Sequence, residues 1–281
     1  MKINNLIIRI FTGIIFVVIL LGSILYSKYS YAIVLGIVQL LALFEFYGLI
    51  ENHAKTPVSK FLNIVGGIFL FAGSFLFFAG INNSLIILVP YICYFLILFV
   101  CELYLKRADP LKSLAYSSLG QLYIAVPFSL LSYLAFSYTA DGTYHYVYIL
   151  ALFLFVWVND SFAYVFGVTL GKHKMFERIS PKKSWEGFAG GALCAIGSSV
   201  IFAHYFTALP LWGWIGFAVV VVVAGTLGDL VESLFKRTLN VKDSGKMLPG
   251  HGGILDRFDS MIMAIPALFI YLELIKYFGN L

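Results

Sequence analysis

The sequence predicts an all-α, polytopic integral membrane protein of about nine transmembrane helices with a cytoplasmic N-terminus. Residues 1–281 form one membrane-embedded domain in this reading. Composition, the length of the apolar blocks and the placement of basic residues carry it. Hydrophobic residues make up 61% of the chain and charged residues 12%, and the mean hydropathy is +0.93, far from the balance of a soluble domain. The apolar residues lie in blocks of about 20, the length a helix needs to cross the hydrocarbon core. Threading those blocks back and forth puts nearly all lysines and arginines on one side, the mark of the cytoplasmic face.

Residues 6–26 form the first block. Lys2 and Arg9 precede or open it as in a secretory signal, but its length and the eight similar blocks behind it make it a first span. Blocks at 31–50, 61–79 and 84–101 follow, and the charged connectors 51–60 and 102–112 lie on the inner side. The fifth and sixth blocks are 113–137 and 146–169. The last three, 188–206, 211–230 and 259–277, are set apart by the long polar loops 171–187 and 231–258. The early inner segments hold Lys2, Arg9, Lys55, Lys60, Lys106, Arg107 and Lys112. Loop 171–187 adds Lys172, Lys174, Arg178, Lys182 and Lys183, and loop 231–258 adds Lys236, Arg237, Lys242, Lys246 and Arg257. Of the 19 basic residues only Lys28 and Lys276 fall outside. This asymmetry accounts for most of the net charge of +5 without a nucleic-acid partner.

Cys93, Cys101 and Cys194 lie in or beside apolar blocks with no C-x-x-C pair, which gives neither a disulfide framework nor a zinc site. The five histidines are scattered, so a histidine metal centre is not expected. The halves differ in polarity: residues 1–150 read as scaffold, and residues 151–281 as the catalytic half, with both long loops. Ionisable residues at membrane depth are costly and point to function or to a buried partner. Among them are Glu45 near the end of the second span, Asp160 in the sixth, Asp229 at the end of the eighth and Asp259 at the start of the ninth.

Three polar clusters share the cytoplasmic side of this topology. In "ISPKKSWEG", Pro181 sets a turn and Lys182 and Lys183 flank the hydroxyl of Ser184 ahead of a helix start, a setting that favours phosphate. In "GDLVESLFKRTLNVKDSGK", a continuing helix places Asp229, Glu232 or Ser233, Lys236 and Asn240 on one face. In "LPGHGGILDRFDS", Gly250, Gly252 and Gly253 let backbone approach a ligand. Asp256 and Asp259 there share a helix side. Such a carboxylate pair suits Mg²⁺ beside substrate phosphates, and Arg257 offers a planar fork to a phosphate. Cations for phosphates, acids for a divalent metal and a membrane setting together indicate nucleotide chemistry on a lipid phosphate.

The run Ser233-x-Phe235-Lys236-Arg237, then Lys242-Asp243-x-Gly245, then Leu248-Pro249-x-His251-Gly252-Gly253-Ile254-x-Asp256-Arg257-Phe258-Asp259 closely resembles the signature of the phosphatidate cytidylyltransferases (CDP-diacylglycerol synthases). The Asn159-Asp160-Ser161 and Ser180-Pro181-Lys182-Lys183-Ser184 runs resemble that family too. The specific match covers roughly 157–187 and 228–259, and the first half agrees only in hydropathy. Two positions depart: Ser184 stands where threonine is frequent, and Val168 where a basic residue is frequent.

The resemblance implies transfer of the cytidylyl group of CTP to phosphatidate, with Mg²⁺ and a second cation, K⁺. It implies in-line attack on the α-phosphorus with no covalent enzyme intermediate. Asp229, Asp256 and Asp259 would be the metal ligands, and these with Lys236 the catalytic set. Arg237, Lys242, His251, Gly252, Gly253 and Arg257 would contact substrate, with Ser233, Lys182, Lys183 and Ser184 helping and Asn159 and Asp160 lining the polar cavity. It also implies a homodimer in a bacterial cytoplasmic (inner) membrane, surrounded by lipid, with its site facing the cytoplasm.

Three rival readings differ in what they require. The CDP-alcohol phosphatidyltransferases carry D-G-x-x-A-R followed by G-x-x-x-D-x-x-x-D, which is missing from this sequence. An ion-coupled transporter would use Asp160 and Asp229 as coupling sites, but calls for broken helices in matching halves. A CTP-dependent transferase for another lipid phosphate would share the catalytic residues, and is the nearest competitor.

Overall fold

A computed structural model describes residues 2–82, 84–136, 143–245, 247–248, 250 and 252–279, with backbone alone for residues 2–10. Ten α-helices form in order: α1 (Lys2–Tyr26), α2 (Lys28–His53), α3 (Lys60–Phe78), α4 (Val89–Tyr104), α5 (Pro110–Gly120), α6 (Val126–Phe136), α7 (Val147–Thr169), α8 (Trp185–Tyr205), α9 (Leu211–Thr238) and α10 (Leu255–Gly279). A π-helical turn at Gln121–Ala125 joins α5 to α6, so Pro110–Phe136 runs on as a single span. Among the described residues eight stretches are long and apolar enough to cross a membrane, and Phe11–Tyr26 adds a shorter apolar one. These match the nine blocks, and the chain is an all-α polytopic membrane protein.

The structure differs from the sequence reading in two places. A two-stranded antiparallel hairpin, β1 (Lys174–Phe176) and β2 (Ser180–Ser184), stands where the sequence suggested a turn set by Pro181. Pro181 instead lies within β2, a two-stranded edge setting that tolerates a residue without an N–H. The second difference is length: α9 continues to Thr238 and α10 starts at Leu255, both beyond the apolar blocks, because amphipathic turns extend each helix into the polar loop.

Contacts divide the chain into two units, Met1–Tyr146 with Leu239–Arg257, and Val147–Thr238 with Phe258–Leu281. In the first unit, helices are joined by buried amides and hydroxyls. Asn63 Nδ2 of α3 donates to Ser117 Oγ of α5 at 2.9 Å, and Tyr94 Oη of α4 donates to Asn63 Oδ1 at 2.9 Å. Gln121 Nε2 donates to the Asn63 carbonyl at 2.7 Å, and Tyr47 Oη of α2 to the Ser117 carbonyl at 2.8 Å. Apolar burial gives little drive between helices already surrounded by lipid, so such polar contacts hold them together. At the polar end of α4, the Arg107 guanidinium pairs with the buried Glu102 carboxylate and donates to the Ser113 and Ser59 hydroxyls. The outward residues of α4, including Leu96, Phe99, Val100 and Leu103, are exposed and apolar, as a lipid-facing surface requires.

In the second unit, α7 and α8 lie close because Gly187, Gly190 and Gly191 offer no side chains. A Cβ at Gly191 would come 2.7 Å from the Asn159 carbonyl oxygen. Below this contact Phe155, Phe202, Trp214 and Phe217 form an aromatic core, and Trp214 Nε1 donates to the Phe206 carbonyl at 2.8 Å.

Asn63→Ala removes a donor and an acceptor from the α3–α4–α5 junction. We expect it to destabilise the detergent-solubilised protein by about 1–3 kcal/mol, the range for buried polar groups left without partners. A lowered midpoint in thermal unfolding checks this.

Candidate functional site

The site in the second unit begins at the crossing of α9 and α10. A Cβ on Gly228 would lie 2.6 Å from the Asp259 carbonyl oxygen and 3.1 Å from Met263 Cβ. The two helices therefore touch almost backbone to backbone. On α9, Asp229 and Glu232 are three residues apart and share a face. The close crossing brings both to Asp259, and one carboxylate oxygen from each of the three lies within 4.8 Å of the others. Glu232 is 1% exposed, so its charge is removed from water.

Charge of one sign at this depth needs compensation. Lys183 Nζ lies 2.6 Å from Asp229 Oδ2, and Lys236 Nζ lies 2.6 Å from Glu232 Oε2 one helical turn along. Ser233 Oγ donates to Asp229 Oδ1 at 3.2 Å and fixes that carboxyl's rotation. Asp160 on α7 stands within electrostatic reach of Asp229 and Lys183, and accepts from Asn159 Nδ2 at 3.3 Å. The buried Asn159 Oδ1 has no hydrogen-bond partner among the described residues. Among the described residues, four carboxylates thus face two ammonium groups. A carboxylate set with surplus negative charge fits a hard divalent cation of the Mg²⁺ type; among the described residues no histidine or cysteine joins it, which disfavours a softer metal.

The hairpin delivers Lys183. Lys174 pairs with Ser184 and Phe176 with Ser180, and Arg237 Nε of α9 donates to the Ile179 carbonyl at 3.3 Å. Ser184 is the N-cap of α8, its Oγ accepting from Gly187 N at 3.2 Å. Glu186 of that first turn accepts from the backbone N–H groups of Lys172 and His173 and lies 2.6 Å from His173 Nδ1. These bonds hold the hairpin by its base and leave Lys182 exposed at its edge.

The first unit contains the loop 239–257. Asp256 organises it: both carboxylate oxygens accept from Ser244 N at 3.1 and 3.0 Å, and Oδ2 accepts from Gly253 N at 2.9 Å. Gly252 has φ +83°, a left-handed conformation that favours glycine. A Cβ on it would also come 2.8 Å from Asp256 Oδ2. A side chain on Gly253 would overlap the Ser244 hydroxyl and the Glu45 carboxylate. At Gly252 and Gly253 the clearance the sequence suggested for a ligand is taken by the protein's own groups. Lys242 and Arg257 are exposed, and His251, a proposed substrate contact, lies outside the described residues.

Asp229 and Asp259 come together as the sequence suggested, and Glu232 joins them as a third carboxylate. The sequence named Glu232 only as one alternative on the α9 stripe; its three-residue step from Asp229 was the available signal. Asp256, the expected third ligand, accepts from the backbone N–H groups of Ser244 and Gly253. Lys183, Ser233 and Lys236 surround the acidic trio directly.

A family model described as the cytidylyltransferase family matches residues 7–275. The chain is 41% identical over 170 residues to the phosphatidate cytidylyltransferase of Staphylococcus haemolyticus (strain JCSC1435), an alignment covering 60% of each chain. It is 52% identical over 127 residues to that of Staphylococcus epidermidis (strain ATCC 35984), covering 44% of this chain and 48% of the relative. With that of Staphylococcus aureus (strain COL), the identity is 48% over 126 residues, covering 44% and 48% respectively. The chain therefore spans at most about three fifths of the length of these relatives.

If backbone contact at Gly228 assembles the trio, Gly228→Ala weakens divalent-ion binding by about tenfold or more, the scale for disturbing a contact that orients metal ligands. Titration of the purified protein with Mn²⁺, read by electron paramagnetic resonance, measures this without any substrate.

Proposed function

Starting from the cytidylyltransferase family, to which this chain belongs, we propose that the protein transfers the cytidylyl group of CTP to phosphatidate. A phosphate oxygen of phosphatidate attacks the α-phosphorus of CTP, the bond to the bridging oxygen breaks, and pyrophosphate leaves as CDP-diacylglycerol forms. The observation that carries this is the acidic trio on two helices of an integral membrane protein, faced by two ammonium groups. The likeness to phosphatidate cytidylyltransferases supports phosphatidate as acceptor.

Asp229, Glu232 and Asp259 have the donor chemistry to hold Mg²⁺, with K⁺ as a second cation of the same proposal. When bound, Mg²⁺ supplies charge neutralisation at the transferring phosphate. The chain's own groups orient the reactants and neutralise the remaining charge, which is most of what phosphoryl transfer demands of a protein. Lys183 and Lys236 hold positive charge against the trio and exchange carboxylate for phosphate when nucleotide enters. Ser233 keeps Asp229 oriented. Arg237 and Lys182 sit at the exposed rim as further phosphate contacts, and Asn159 offers an acceptor beside Asp160. Lys242, His251, Arg257 and a metal-side role for Asp256 enter this reading through the sequence signature. The protein acts as a homodimer in the cytoplasmic membrane of a bacterium, with its site facing the cytoplasm.

The purified protein in detergent, given CTP, phosphatidate and Mg²⁺, forms CDP-diacylglycerol in this reading. Product from a polyprenyl phosphate and none from phosphatidate would overturn the acceptor assignment. Asp259→Asn lowers kcat by about two to three orders of magnitude, the scale seen when charge stabilisation at a reacting group is removed. Lys174→Cys reacts with an impermeant maleimide only from the cytoplasmic side of sealed vesicles, and Lys28→Cys only from the other; the reverse pattern inverts the topology.

A further inference from the structure

Glu45 lies in α2, towards the end of an apolar span, and is 6% exposed. An ionised carboxylate at that depth is costly unless matched. Among the described residues no lysine or arginine pairs with it. Its partners come from the loop nearly 200 residues later in the chain. The Ser244 hydroxyl donates to Glu45 Oε2 at 3.2 Å, and the Leu255 backbone N–H donates to the same oxygen at 3.0 Å. Leu255 is the first residue of α10, where unsatisfied N–H groups and the helix dipole favour an anion. The other oxygen, Oε1, is fully buried with no hydrogen-bond partner among the described residues. It lies against Gly245, where any side chain would overlap it.

The loop is shaped around this carboxylate at several points. Gly245 and Gly253 both leave room that Glu45 fills. Ser244 gives its hydroxyl to Glu45 and its N–H to Asp256, whose Oδ2 also takes the N–H of Gly253. Glu45, Ser244, Asp256 and Gly253 thus form a connected chain from a scaffold helix into the signature loop. A residue needed only for packing in an apolar span would be met by leucine at lower cost.

We propose that Glu45 is a positioning residue of the reaction: its carboxylate fixes the loop that carries Lys242 and Arg257 in the conformation that meets the substrate phosphates. This inference rests on the cytidylyl-transfer reading for its kinetic consequence, but its structural half stands apart from it. Glu45 touches no reactant and acts through Ser244 and Leu255.

Hydrogen exchange read by mass spectrometry, alongside steady-state kinetics on purified Glu45→Gln, Glu45→Leu and Ser244→Ala, tests it. Gln keeps an acceptor and loses the charge. We expect exchange in peptides over 241–257 to quicken about tenfold in Glu45→Gln, with the other helices unchanged, the scale of one charge-assisted hydrogen bond. The kcat/KM for CTP falls by a similar factor, chiefly through KM, and falls further in Glu45→Leu. Ser244→Ala moves both readouts in the same direction by less. Combined with Glu45→Gln it adds less than its single effect, as residues in one network do. Wild-type exchange in 241–257 of Glu45→Gln overturns the proposal, and so does exchange that rises equally throughout the chain. If Glu45→Leu does not fold, the other two variants decide. If the wild type makes no CDP-diacylglycerol, the reaction assignment fails, while exchange in Glu45→Gln still decides whether Glu45 holds the loop.

Discussion

Negative charge buried at membrane depth has to be matched within the protein, and both units are organised around that constraint. Water is scarce there and Coulomb interactions are strong, so an unmatched carboxylate would take up a proton or unfold its surroundings. The second unit answers with ammonium groups, placing Lys183 against Asp229 and Lys236 against Glu232. The first matches Glu102 with the Arg107 guanidinium, but gives Glu45 the N–H of Leu255 and the hydroxyl of Ser244, and Asp256 the N–H groups of Ser244 and Gly253. Lysine side chains are flexible stems that can turn from one anion to another. Fixed backbone donors suit a place where a loop must keep its shape.

The rest of the second unit serves the first of these solutions. Gly228 admits α10 against α9, and without that proximity Asp259 would not meet Asp229 and Glu232. The hairpin exists to carry one lysine inward from the polar side. Its base is secured by the Ser184 cap, the Glu186 acceptor bonds and the Arg237 contact to Ile179. The acidic trio is thus the product of helix packing, and a short piece of sheet supplies one of the two ammonium groups that face it.

How much of this could be read in the sequence depends on how far each interaction reaches along the chain. The nine apolar blocks were legible because a membrane span is a local property of about 20 consecutive residues. Asp229, Lys236 and Asp259 were legible because ionisable residues near apolar blocks stand out and because the signature is long. The hairpin was not, since Ser180–Ser184 has no alternating apolar pattern and Pro181 signals a turn more strongly than a strand. Glu45 stood out as an anomaly whose meaning was hidden: its partners, Ser244 and Leu255, are fixed by tertiary folding. Asp256 shows the opposite case. Its acidic chemistry suggested a metal, while its hydrogen bonds to Ser244 and Gly253 became visible only when the loop was folded back on itself.

The π-helical turn at Gln121–Ala125 bears on how this chain tolerates changes of length. There the Val126 N–H donates to the Gln121 carbonyl, one residue further back than an α-helix allows, so the span holds an extra residue without a matching advance along its axis. A one-residue deletion within 121–125 can be absorbed by returning the turn to regular α-helix, leaving the flanking helices in register. The same deletion in α3 or α9 would rotate everything beyond it by about 100°, and would carry Asn63 or Asp229 off the face it needs. The fifth span therefore contains a built-in allowance for losing a residue, placed between Gln121 and the buried helix that follows.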